Sequence, residues 1–268
     1  MLKNILKGLQ AYKDSFKLIN ELKLWSFFLV PMGISLLFGA CIFLAIYGLS
    51  DNLGRFIAGI WFWEWGKETF TEIATWIGGL AIAILGFILY KHVVMALSAP
   101  FMSPVSERIE KHLYPDLHDD IKHRKTSNTE QLMRGLRINI RNLLYEISIS
   151  IPLLFLSFIP GVNFITTPLL FLVQAYYAGF GNMDYTLERH YTYRDSVNFV
   201  KQSRGYAVGN GIVFMGMLFL PVIGIILVLP VAVTSASKIT LELLRERKML
   251  VKSKQQQLEQ SHTPKLES

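Results

Sequence analysis

The sequence has one cysteine, Cys41, in 268 residues. One thiol forms no internal disulfide, and no paired Cys/His site accompanies it. Leu37-Phe38-Gly39-Ala40-Cys41 has the outline of a lipoprotein cleavage box. The apolar run continues past it through Leu49, however, so lipidation is not expected. Charge is equally scarce: 18% of residues are Asp, Glu, Lys or Arg, and the 27 residues from Leu24 to Ser50 hold none. As a helix that segment is about 40 Å long, against about 30 Å of bilayer hydrocarbon. A cleaved signal peptide carries an apolar region of only about 7–15 residues, so the segment is read as a membrane span.

What is present is apolar. Hydrophobic residues make up 51% of the chain and mean hydropathy is +0.35. The charges gather in Met1–Lys23, Lys91–Arg141, Asp184–Arg204 and Lys238–Ser268, with a formal net charge of +7. No helix-turn-helix, zinc-finger or aromatic RNA-reading pattern accompanies them, so no nucleic-acid partner is expected.

The spacing predicts an all-α integral membrane protein forming one helical domain over residues 1–254. Leu2, Ile5, Leu6, Leu9, Tyr12, Phe16 and Ile19 follow helical spacing among lysines, predicting an interfacial helix over 1–19. Full spans are expected over 24–49 and 72–98. The second helix is expected to break at Ala99-Pro100 and to restart at the Ser103-Pro104 cap. Between the spans, Trp61, Phe62, Trp63 and Trp65 read as an interfacial aromatic belt; a cage for a cationic ligand is the alternative. His118, Asp119, Asp120 and His123 fall in a polar stretch read as a solvated loop rather than a metal site.

Two apolar blocks follow, 147–181 and 209–237. Each is interrupted by a proline–glycine turn, at Pro160-Gly161 and at Pro221 with Gly224, and carries a second proline beyond, Pro168 and Pro230. The arm Ile147–Ile159 is about 20 Å long and Ile212–Leu220 about 14 Å, short of about 30 Å. They are read as two partly inserted helical hairpins, with two bent full crossings as the rival. On the hairpin reading, all but two of the 27 Lys and Arg residues lie on one side. Positive-inside bias makes that side the cytoplasm and puts both termini there. Residues 255–268 are expected to be a disordered polar tail.

No nucleophile elbow, P-loop or metal set appears, so neither an enzyme nor a cofactor is expected. The hairpins lack the acidic relay of a proton- or sodium-driven pump. A broken helix instead exposes unpaired N–H groups that suit an anion. Asn163, Thr166 and Thr167 lie close to the first turn, and Arg134, Arg137, Arg141 and Arg204 are candidates for a basic vestibule. The same arginines also suit an interfacial face on anionic lipid, and Asn163 and the threonines also suit turn backbone.

Several short motifs carry a resemblance. They are Ala99-Pro100-Phe101 with Glu107 and Glu110, Ile159-Pro160-Gly161, Asp184-Tyr185, Arg204-Gly205 and Pro230-Val231-Ala232. In order and spacing the chain resembles the bacterial CysZ sulfate permease family, grouped with the eukaryotic etoposide-induced proteins, over roughly Leu9 to Leu244. The resemblance implies a bacterial inner-membrane permease or channel for sulfate or a related oxyanion. It also implies homo-oligomers and a role in sulfur assimilation and cysteine synthesis. Where such sequences often carry adjacent arginines before the first span, this one has Trp25 and Ser26, leaving Lys23 as the nearest cation. A non-transporting membrane scaffold or assembly factor is the alternative.

Overall fold

The computed structural model describes residues 1–59, 66–119, 127–157, 159–220 and 223–262. These form ten helices: α1 (Leu2–Gln10), α2 (Ser15–Glu21), α3 (Trp25–Ala58), α4 (Lys67–Leu113), α5 (Pro115–Asp119), α6 (Asn128–Ser157), α7 (Asn163–His190), α8 (Tyr193–Gln202), α9 (Arg204–Leu218) and α10 (Ile223–His262). No strand occurs among the described residues. Five helices are long and apolar enough to cross a membrane, within 25–58, 85–113, 128–157, 163–190 and 226–251. The protein is an all-α membrane protein.

The long helices pair as antiparallel hairpins. α3 packs along α4 through glycines, with Gly54 against Thr75 and Gly86 against Ile42. α6 folds back onto α7 at Pro160-Gly161, where Gly161 takes φ +88°, a left-handed value that glycine adopts without steric cost. Arg134, near the start of α6, bonds Asp184, Tyr191 and Ser196, so the far end of α7 returns to where α6 began. The chain therefore turns back here rather than running on through a bend. α9 and α10 pair likewise; Pro221, expected at their turn, lies outside the described residues, as do Trp61, Phe62, Trp63, Trp65, Asp120 and His123.

The expected break at Ala99-Pro100 does not occur. α4 runs unbroken through Pro100 and Pro104 to Leu113. Pro100 removes the N–H that would reach the Ala96 carbonyl, and Gly135 of α6 packs against that carbonyl and Ala99. The segment 1–19 is two helices, with Asp14 at φ 69° before α2. α1 packs on α9, where Gly8 lies against the backbone of Tyr206 and Gly209, and Tyr12 Oη donates to the Asn210 carbonyl at 2.8 Å. α10 runs past Lys254 to His262.

Burial divides the helices into a centre and a rim. In the apolar window of α10, 78% of residues are buried, against 11% in α3 and in α6. On α3, Leu29, Leu37, Phe43, Leu44 and Tyr47 face outward. α6 is inside out: Gly135, Ile138, Asn139, Asn142 and Glu146 form its buried face, while Leu136, Ile140, Leu144, Leu154 and Phe155 are exposed. A helix with its polar stripe inward and its aliphatic stripe outward is stable where the surroundings are hydrocarbon.

Phe219, at the tip of the α9–α10 pair, stacks on Phe87 of α4 with ring centroids 5.9 Å apart. From Phe87, α4 continues back to Lys67, a further run of about 30 Å. The second hairpin thus ends partway along the α3–α4 pair.

Candidate functional site

The buried face of α6 meets α4 and α7 in a seam of charged and polar groups. Lys91 Nζ donates to Glu146 Oε1 at 2.6 Å and lies 3.5 Å from the Gln174 carbonyl of α7. His92 Nε2 lies 3.0 Å from Glu146 Oε2. All three side chains are at most 3% exposed. Charges removed from water persist only where paired and hydrogen-bonded, and the carboxylate accepts from both sides.

The seam continues toward the charged end of the bundle. Tyr185 Oη donates to the Met95 carbonyl at 2.5 Å. Arg134 grips Asp184 in a two-point pair, Nε to Oδ2 at 3.1 Å and Nη2 to Oδ1 at 2.9 Å, and also donates to Tyr191 O and Ser196 Oγ. Arg189 Nη2 pairs with Glu110 Oε2 at 2.8 Å and with Ser106 Oγ. Asn182 Nδ2 donates to Asn210 Oδ1, whose own amide donates to the Ala232 carbonyl, joining α7, α9 and α10.

The residues expected to hold an anion fall into separate places. Arg134 spends its guanidinium on Asp184 and its neighbours. Arg137 is exposed and lies over the Tyr193 ring at 4.1 Å. Arg141 donates to Asn142 Oδ1 at 2.9 Å and lies over Tyr145 and Phe180. The three arginines share an apolar groove of about 800 Å³ with Ile140, Leu144 and Tyr193. Arg204 opens α9, exposed, with Nε donating to the Lys201 carbonyl. Lys23 is exposed in the α2–α3 link at φ 50°.

Asn163, Thr166 and Thr167 are at the other end of the α6–α7 hairpin. Asn163 and Thr167 are exposed. Thr166 is buried, its Oγ1 2.7 Å from Ser157 Oγ and 3.2 Å from the Val162 carbonyl. No side chain caps the start of α7. Arg141 and Ser157 are separated by about 24 Å along the axis of α6, so the turn residues and the arginines do not form one site. Among the described residues, no group of three or more His, Cys, Asp or Glu could hold a metal ion.

Sequence reasoning passed over Lys91, His92 and Glu146 because each sits at the margin of an apolar run and reads as a flank. One signal was available: Asn139, Asn142 and Glu146 recur at steps of three and four, a polar stripe on one helical face.

A bundle of lipid-facing helices around a paired ionic seam defines an integral membrane protein with ionisable groups inside its fold, the class in which solute-handling proteins are found. The model of the family described as "Sulfate transporter CysZ/Etoposide-induced protein 2.4" matches residues 11–229, and the chain belongs to that family. A relative named "Sulfate transporter CysZ" from Pseudomonas aeruginosa (strain LESB58) is 28% identical over 236 residues, covering 87% of this chain and 93% of its own. Another of that name, from Pseudomonas fluorescens (strain Pf0-1), is 27% identical over 246 residues, covering 91% of this chain and 95% of its own.

Proposed function

We propose that this protein is a bacterial inner-membrane permease or channel for sulfate or a related oxyanion, feeding sulfur assimilation and cysteine synthesis. The observation that carries the reading is the family match across residues 11–229, with relatives named sulfate transporters at near-complete mutual coverage. The cations of the α6 groove fit it electrostatically. Arg137 and Arg141 both line that open groove, and neighbouring cations raise the local concentration of an anion. Arg134 then serves the fold, and the open start of α7, with Asn163 and Thr167, is the second place an anion would meet unpaired N–H groups.

In this reading α3 and α4 cross the membrane, the two hairpins enter partway from the cytoplasmic side, and both termini are cytoplasmic. The stop of Phe219 beside Phe87 supports partial entry. So does the 15-residue length of α9, about 22 Å against about 30 Å of hydrocarbon. The short α9 arm cannot line a whole pathway, so the working unit is a homo-oligomer.

The test is uptake of radiolabelled sulfate into proteoliposomes, competed with sulfite, thiosulfate and phosphate. The paired reversal Arg137→Glu and Arg141→Glu is expected to cut initial uptake about tenfold by removing the attracting field. Unchanged uptake would remove the groove from the pathway. No sulfate uptake by the unaltered protein, with localisation lost in the charge-reversed form, would favour a membrane scaffold instead.

Topology is checked separately. In a Cys41→Ser background, a cysteine at the exposed position 194 is expected to react with an impermeant thiol reagent only after the cytoplasmic face is opened. Labelling from the periplasm would exclude cytoplasmic entry of the hairpins.

A further inference from the structure

A second groove, of about 390 Å³, lies between α1, α6, α7, α8 and α9. Its walls differ from end to end. Toward the α6–α7 turn it is aliphatic, with Ile149, Leu169 and Leu172 each 37–42% exposed. At its mouth stand Lys201 and Arg204 beside Tyr176. The Lys201 amine and the Arg204 Nη groups have no partner among the described residues; Arg204 uses only Nε, on the Lys201 carbonyl. From Leu169 to Tyr176 the groove runs about 10 Å along α7.

We propose that this groove holds one anionic phospholipid. Its phosphate sits on Lys201 and Arg204, with the Tyr176 hydroxyl as an added donor, and its acyl chain lies along Ile149, Leu169 and Leu172. Charge complementarity selects the occupant: unpaired cations at the membrane surface attract anionic headgroups. The aliphatic continuation separates a lipid from a free oxyanion, which has no use for an apolar wall and loses hydration beside one. The amphipathic α1 borders the groove through Ile5. Arg204 then serves a lipid rather than the solute vestibule. The inference rests on membrane embedding and not on sulfate transport, so either can fail without the other.

The full chain, purified in mild detergent, would be exposed to equimolar phosphatidylglycerol and phosphatidylethanolamine, and retained lipid counted by native mass spectrometry. At least fivefold preference for phosphatidylglycerol is expected. Lys201→Glu with Arg204→Glu should abolish the preference. Leu172→Trp, which fills the apolar trough without touching a charge, should reduce retention of the same lipid. Millimolar sulfate should not displace it. Equal retention of the two lipids by the unaltered protein overturns the proposal, whether or not the variants fold. Displacement by sulfate also overturns it, because the site would then be one for free oxyanions. Unchanged preference in both folded variants would place the lipid elsewhere.

Discussion

Replacing Glu146 by alanine is expected to cost the fold about 3–5 kcal/mol, the penalty for leaving one member of a buried pair without its partner. Lys91 is 1% exposed and donates to Glu146 at 2.6 Å. With the carboxylate gone, the ammonium keeps only the more distant Gln174 carbonyl at 3.5 Å. It must then shed its proton, draw in water or push α4 and α6 apart. The measurement is thermal denaturation of the purified protein in detergent, with the monodisperse fraction after extraction as a second reading. Lys91→Met combined with Glu146→Met should recover most of the loss, because apolar side chains of similar volume avoid the desolvation cost on both sides. His92 Nε2 loses the Glu146 carboxylate in the single and the double variant alike, so their comparison isolates Lys91. A single substitution as stable as the unaltered protein would show that the seam is hydrated, and that its charges are not confined to the protein interior.

Substituting valine at Gly211 should be comparably damaging, for a steric reason. A Cβ at Gly211 would occupy the position of the Ala175 carbonyl, and one at Gly179 that of the Ala207 carbonyl. α7 and α9 therefore meet backbone to backbone, a contact that small residues permit between membrane helices. Overpacking a well-filled interface commonly costs about 1–3 kcal/mol. Here the obstacle is main chain, so the helices must separate and the loss should reach or exceed that range. Separation would also break the Asn182–Asn210 bond, at 2.9 Å, which joins the same helices. Gly211→Ala should show a smaller loss and Gly216→Ala none, since nothing lies within 4 Å of a Cβ at Gly216. Similar melting temperatures for all three would mean that α7 and α9 pack more loosely than the structure shows.

Much of the architecture is legible from local features. The uncharged runs Leu24–Ser50 and Ile73–Tyr90 are long enough to mark α3 and α4. Pro160-Gly161 marks the fold-back of α6 onto α7, because that pair cannot continue a helix and Gly161 supplies the left-handed φ. The break expected at Pro100 is absent: α4 continues through it, with Gly135 of α6 packed close at Ala96 and Ala99. The candidate site was less legible. Arg134, Arg137 and Arg141 look equivalent as a stripe, yet one is committed to Asp184, fifty positions along the chain, while another lies in the open over Tyr193.

By itself the sequence determined that this is a helical membrane protein and where α6 folds back onto α7. Those properties depend on lengths and residue types added along a short stretch of chain. Only the tertiary structure decided which charges are already spent on each other and how far the α9–α10 hairpin reaches beside α4. Both depend on the register between helices distant in sequence, where moving one residue along turns a side chain by about 100° and exchanges a buried ion pair for a surface one.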